Sequence, residues 1–295
     1  MAIPPGKILL ATDFSARCDR ALDRALQLMK QFNAELIILH VIEPSNEFRT
    51  FYRKRLISTH SYAEKLAEKA RHELKEFLPH DQGRINIVIK KGDTADIILE
   101  TASNEKCDLI VCGVARDVMM GHHTLGRTVN RLLGRSDISM LIVTDRMSRP
   151  YSKILAASDI SGVSAGAIKT ALAIFKDQKI DILYAEEAYG SHALDGHNAF
   201  HEQIKINAQR DFNTFIDSMN IPAQDRERIN IIIEWGKPAP LVQEFVENSS
   251  TDLVVMGSRK RNPVAAYFFE SVAKRIVSVL SCDALVIREP DSGKS

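Results

Sequence analysis

No apolar run in this 295-residue sequence approaches the roughly 18 residues that a membrane-crossing helix requires, so no membrane span is expected. Cysteine is scarce. The four residues Cys18, Cys107, Cys112 and Cys282 show no disulfide-framework spacing, which points to a reducing, cytoplasmic setting. The N-terminal "MAIPPGKILLATD" has no charged stretch followed by a long apolar one, so a signal peptide is not expected either. Net charge is only +1, which argues against nucleic acid as a partner. There is no G-x4-G-K-[ST] run and no G-x-G-x-x-G after the first strand-like segment. This excludes a P-loop enzyme and a dinucleotide dehydrogenase of the usual type. No catalytic trio of nucleophile, base and orienter recurs in the sequence.

What is present is a repeat. "KILLATDFSARCDRALDRAL" at 7–26 matches "KILAASDISGVSAGAIKTAL" at 153–172, and Asp13 falls on Asp159. "INIVIKKGDTADIILE" at 85–100 matches "INIIIEWGKPAPLVQE" at 229–244, and "CDLIVCG" at 107–113 matches "TDLVVMG" at 251–257. "MLIVTD" at 140–145 falls on "ALVIRE" at 284–289. Two copies of one domain therefore fill nearly the whole chain. The polar, proline-bearing "DRMSRPYS" at 145–152 joins them.

Each copy alternates strand and helix. The first reads as strand 7–12, helix 15–31 with Ser15 as its N-cap, strand 35–42 and a charged helix near 60–78 that stops at Pro79. It continues as strand 85–90, helix 94–103, strand 108–113, helix 126–134 and strand 138–143. Such alternation predicts an α/β fold, a parallel sheet covered on both faces and doubly wound by right-handed crossovers. Ligands of such sheets bind beyond the carboxyl ends of the strands, at the point where strand order reverses. Asp13, Val41 and Gly113 all stand at carboxyl ends. Asp159, Ala185 and Gly257 are their counterparts.

The opening "KILLATDFS", the second strand "LHVIEP", the "GD" turn at 92–93 and "CDLIVCG" resemble the universal stress protein family, and the resemblance covers the chain twice. It implies two Rossmann-like domains, 1–147 and 151–290, each with a five-stranded parallel sheet, arranged as a pseudo-dimer. One branch of that family binds ATP through a loop written G-x2-G-x9-G-[ST]; another lacks the loop. Here the first copy reads Gly113-x2-Arg116-x9-Gly126-Arg127, with Thr128 one place late. The second reads Gly257-x2-Lys260-x9-Glu270-Ser271. The glycines of such a loop let backbone N–H groups reach phosphates, and the helix behind adds its dipole. Arg116 and Lys260 cannot copy a glycine, but their charge suits phosphate. Glu270 sets an anion where phosphates would lie. The first copy is thus the better anion site. The family pose would put Asp13 and Val41, with Thr12 beside them, near ribose and adenine, and Cys112 and Gly113 beneath the nucleotide. Gly126, Arg127 and Thr128 would lie at the phosphates. Asp13 could equally be a turn or capping acid.

Other patterns compete. "GVSAG" at 162–166 fits G-x-S-x-G, but Ser164 falls inside the first helix of its copy and not on the turn a nucleophile needs. Cys107, Cys112, His122 and His123 could suggest zinc, yet Cys112 is replaced by Met256 in the twin and reads as core. "FRTFYRKRL" at 48–56 reads either as a lid over the crevice or as a solvated loop. The expected function is binding and regulation in a stress response. The expected ligand is ATP, with Mg alongside it, or another small anion, and turnover is at most slow ATP hydrolysis. The partners are that ligand and an unidentified protein, with no nucleic acid and no membrane; a homodimer is allowed. The alternatives are a ligand-free interaction scaffold with vestigial sites and a weak ATPase.

Overall fold

A computed structural model of the chain describes residues 4–14, 19–43, 65, 68, 69, 72, 82–114, 116–119, 122–144, 149–186, 198–259 and 272–288. Ser15, the segment 48–56 and most of the charged stretch near 60–78 lie outside the described residues. So do Lys260, Glu270 and Ser271. The chain divides into two compact units. One comprises Ala2–Ala115 and Gly126–Met147; the other comprises Ser148–Ser295, Arg116–Leu125 and Met1.

In the first unit the strands are β1 (Lys7–Ala11), β2 (Glu35–Ile42), β3 (Ile85–Lys91), β4 (Leu109–Gly113) and β7 (Ser139–Val143). They pair in parallel in the order β7-β4-β1-β2-β3. Unbroken apolar runs suit this arrangement, because helices bury both faces of a parallel sheet. Ile8, Leu9 and Leu10 of β1 and Ile110 and Val111 of β4 are fully buried. Helix α1 (Asp19–Phe32) turns Ala21, Ala25, Leu28 and Met29 inward at helical spacing. Helix α2 (Thr94–Asn104) buries Ala95, Ile98 and Ala102, and α3 (Arg127–Arg135) buries Val129, Leu132 and Leu133.

The second unit repeats the winding. Its strands β8 (Ile154–Ser158), β9 (Ile180–Glu186), β10 (Ile229–Trp235), β11 (Leu253–Ser258) and β12 (Asp283–Arg288) run parallel in the order β10-β9-β8-β11-β12. Its helices are α4 (Gly162–Ile174), α5 (Asn198–Ser218), α6 (Ala223–Arg226), α7 (Pro238–Ser249) and α8 (Val272–Val279). Phe212 of α5 is wholly buried and its ring stacks on Tyr184 of β9 at 5.4 Å. Each half is thus a five-stranded, doubly wound α/β sheet.

The repeat extends to the hydrogen bonds that frame each sheet. Asp108, just before β4, accepts from the backbone N–H of Gly6 (2.8 Å) and Lys7 (3.1 Å) through Oδ2. Its twin Asp252 accepts from Ser152 N–H (2.9 Å) and Lys153 N–H (3.1 Å). In both halves one carboxylate therefore ties the entry of the central strand to the entry of its neighbour. Arg84 and Arg228 are a second such pair. Arg84 donates to the Asn33 side chain, just after α1. Arg228 donates to the carbonyls of Leu172, Phe175 and Gln178, closing the end of α4, and also to Asp225. Asp108→Ala and Asp252→Ala are each expected to lower stability by about 1–2 kcal/mol, the loss of charge-assisted bonds to two backbone amides partly replaced by water. Urea unfolding of the two variants should show similar losses; a silent one would separate the twins.

Candidate functional site

The site begins with a reversal of winding. From β1 the chain moves outward to β2 and β3, then returns to place β4 on the other side of β1. Helices on opposite faces must diverge there, which leaves a crevice at the carboxyl ends of β1 and β4. The ladders align Ala11 with both Leu39 and Cys112, so the strand ends bearing Thr12, Val41 and Gly113 lie side by side, about 5 Å apart per strand. Cys112 is buried in β4, whereas Asp13 is exposed; Thr12, Val41 and Gly113 are half-buried. These five expected positions are gathered at one edge of the first sheet.

Thr12, Asp13 and Phe14 form a tight turn. Phe14 has φ 55°, a left-handed conformation that bulky residues avoid. The Thr12 hydroxyl accepts from Phe14 N–H at 3.0 Å, and the Phe14 ring lies 5.3 Å from the ring of His40. His40 Nδ1 is 3.0 Å from the Thr12 carbonyl. The motif reading did not single out His40, although it stands in the quoted "LHVIEP".

Gly126 is the N-cap of α3, and Arg127 and Thr128 form its first turn. The first amides of a helix lack intrahelical acceptors, and Gly126 offers them no side-chain cap. Arg127 is largely exposed, and its guanidinium lies 3.7 Å from Glu43, which follows β2. Glu43 also accepts from the Thr94 hydroxyl at 2.7 Å. The start of α3 is thereby set beside the carboxyl end of β2. Glu43 was not anticipated. Its partners lie 51 and 84 residues away, and no local pattern announces them.

Behind this edge runs an ion-pair ladder. Asp93 caps α2 by accepting from Asp96 N–H, after Gly92 has turned the chain at φ 154°. Arg131 donates to Asp93 at 2.6 Å, and Arg135 donates to Asp96 at 2.6 Å. The Arg131 hydrogen bond, helped by the Asp96 amide, holds the Asp93 carboxyl down to about 2.

The loop expected to run from Gly113 to Gly126 carries a hairpin that the sequence reading missed. Its strands β5 (Arg116–Met119) and β6 (His122–Leu125) are antiparallel, with Val118 opposite His123. In sequence Met120 and Gly121 lie between them. Arg116 therefore starts a strand, and it groups with the other compact unit while Gly113 and Gly126 remain in the first.

In the second half Asp159 is exposed and accepts from the backbone N–H and hydroxyl of Ser161. Ser161 caps α4 in a reciprocal capping box with Ser164. Ser164, the serine of the G-x-S-x-G match, is 3% exposed and sits in the first turn of that helix. Gly257 is a packing glycine: a Cβ there would come within 2.5 Å of the Val163 carbonyl oxygen. Cys107, Cys112 and Cys282 are buried and form no disulfide, and burial pushes Cys107 up to about 11. Among the described residues no group of three His, Cys, Asp or Glu could hold a metal. No described helix is long and apolar enough to cross a membrane.

Two doubly wound parallel sheets, each with a crevice at its strand-order reversal, define a Rossmann-like α/β architecture repeated in one chain. The chain belongs to the universal stress protein family, whose model matches residues 5–144 and again 150–288. A universal stress protein of Methanocaldococcus jannaschii is 27% identical over 143 residues, covering 48% of this chain and 84% of that one. One from Thermus aquaticus is 25% identical over 140 residues, 47% of this chain and 99% of its own. The crystal structure of a universal stress protein from Archaeoglobus fulgidus aligns over 96% of this chain and 98% of its own, with TM-score 0.69 and 18% identity. A Pseudomonas aeruginosa protein described as functionally unknown aligns over 97% and 94%, with TM-score 0.67 and 19% identity. These two structures speak to fold alone.

Gly257→Ala should cost about 1–3 kcal/mol, since its methyl meets backbone rather than a movable side chain; thermal unfolding tests this. Asp93→Asn should lower the melting temperature at pH 7. The carboxyl is depressed from 3.8 to about 2, so its stabilisation is complete above about pH 4 and fades as pH falls through about 2. The gap between variant and parent should therefore close on acidification. A gap that persists at pH 2 would mean that the charge is not what Asp93 contributes.

Proposed function

We propose that this chain binds a small anionic ligand, ATP foremost, at the carboxyl edge of its first half and acts by binding and regulation, not by turnover. The observation that carries the reading is the start of α3. There, first-turn amides without a side-chain cap and the exposed Arg127 stand beside Glu43 at the end of β2, where a phosphate would meet both dipole and charge. Thr128 adds a hydroxyl to the same turn. Mg would accompany the triphosphate. The second half is the weaker site, because Glu270 stands where the first half has Gly126 and sets an anion where phosphates would lie. A ligand at the first site would alter how the protein meets a protein partner, to the extent that its affinity differs between the two states. Among the described residues the cysteines form no disulfide, which suits a reducing, cytoplasmic setting.

A second reading has its own observation. Glu43 lies beside Arg127 and supplies an anion to the very edge where a phosphate would bind. On that reading the protein is an interaction module and the crevice is vestigial.

Mass spectrometry of small molecules released from gently purified protein, followed by calorimetric titration with Mg-ATP, separates the two. Binding of ATP, lost in Gly126→Asp and kept in Glu270→Gly, supports the first reading. Gly126 has φ −52° and ψ 145°, open to any residue, and aspartate is a strong N-cap. The variant should therefore melt at or slightly above the parent temperature while its carboxylate repels the ligand. A parent protein that is empty and does not titrate selects the interaction module.

A further inference from the structure

The turn at the end of β1 is held from outside by a side chain of the neighbouring strand. Thr12 N–H donates to the Leu39 carbonyl at 3.0 Å, which carries the β1–β2 ladder one residue past β1 and sets Thr12 across from His40. His40 Nδ1 lies 3.0 Å from the Thr12 carbonyl oxygen. A carbonyl only accepts, so Nδ1 carries the hydrogen, and it remains a donor whether the ring is neutral or protonated. The same imidazole lies against the Phe14 ring, inclined at 39°. His40 thus touches both ends of a turn whose last residue holds a left-handed φ of 55°.

The second half makes the same backbone shape with local ties. Ile160 has φ 57°, and Ile160 N–H approaches the Ser158 hydroxyl at 3.4 Å, as Phe14 N–H approaches Thr12 at 3.0 Å. Further side-chain bonds around that turn join Ser158, Asp159, Ser161 and Ser164, all within six residues of Ser158. At the position on β9 that matches His40 stands Tyr184. Its hydroxyl donates to Glu186 and its ring stacks on Phe212. It is occupied with its own strand and with α5.

We propose that His40 is a positioning residue of the first crevice: from β2 it holds the Thr12–Phe14 turn, and so sets where Asp13 stands, without itself touching the ligand. The inference rests on reading that crevice as an anion site. It makes the two halves unequal in a definite way. The first turn takes a side-chain tie from the strand that also leads to Glu43; in the second, Ser158 pairs with Tyr184 in the β8–β9 ladder and the side-chain ties are local.

The test uses the full chain and Mg-ATP. In His40→Asn the side-chain amide nitrogen takes nearly the place of Nδ1 and keeps the donor. In His40→Phe the ring contact stays and the donor is lost. His40→Leu, which carries no hydrogen-bond donor, is a second donor-deleted variant should the phenylalanine fail to fold. ATP affinity is expected to fall about three- to tenfold in the donor-deleted variants, the value of one hydrogen bond, and to stay near parental in His40→Asn. Tyr184→Phe should leave it unchanged. Amide hydrogen exchange at residues 12–14 should quicken in the donor-deleted variants and not in His40→Asn. Parental exchange in those variants, or failure of asparagine to restore protection, overturns the proposal. A parent that takes up no ATP would defeat the anion-site reading alone, since the exchange comparison decides the role of His40 without ligand.

Discussion

The first strand of each half is hydrogen-bonded on both sides, and the rest of the architecture follows from that. β1 lies between β2 and β4, and β8 lies between β9 and β11. A strand so placed must be apolar on both faces, which is why Ile8, Leu9 and Leu10 and their twins Ile154, Leu155 and Ala156 are buried. It must also lie where the winding reverses, because its two neighbours are reached by crossovers in opposite directions. Crevice and core are thus two consequences of one pairing. Asp108 and Asp252 fix the entry of that strand from the far end, binding its first amides to the start of β4 and β11.

Several residues that repeat between the halves are explained by framing the sheet. Asp108 and Asp252 receive backbone amides. Arg84 and Arg228 close the segment after the first helix. Gly257 lets the first turn of α4 approach β11 within the reach of a methyl group. Recurrence alone would have suggested chemistry for any of them. The residues that differ between the copies are more informative about ligand binding. His40 is replaced by Tyr184, and Gly126 falls on Glu270.

The strands were legible because burial on both faces leaves an uninterrupted apolar run with sharp ends. β2 falls on the expected 35–42, and the other strands of the first copy differ by one residue at an end. The repeat supplied the two-domain organisation, and the family resemblance is shown by the family model. The β5–β6 hairpin was overlooked, because a loop motif aligned through Arg116 draws attention away from two short strands. Glu43 and His40 were illegible for a different reason. Their partners Arg127, Thr94 and Thr12 are distant in sequence, and only the pairing of β1 with β2 and the return of α3 to that edge brings them together.

The electrostatics at the start of α3 decide how much charge a ligand there must carry. Glu43 and Arg127 form an exposed pair at 3.7 Å, a contact worth less than about 1 kcal/mol. Glu43 is additionally held by Thr94, so it does not simply swing away when another anion arrives. A single weak anion gains little by displacing such a carboxylate from Arg127. A phosphate chain gains more, because it can reach the arginine and the helix amides together, and those amides have no side-chain cap to give up. On the proposed reading the edge would discriminate by charge density, resisting isolated carboxylates and admitting polyphosphate, with the sheet ends beside it left to recognise what the phosphates carry.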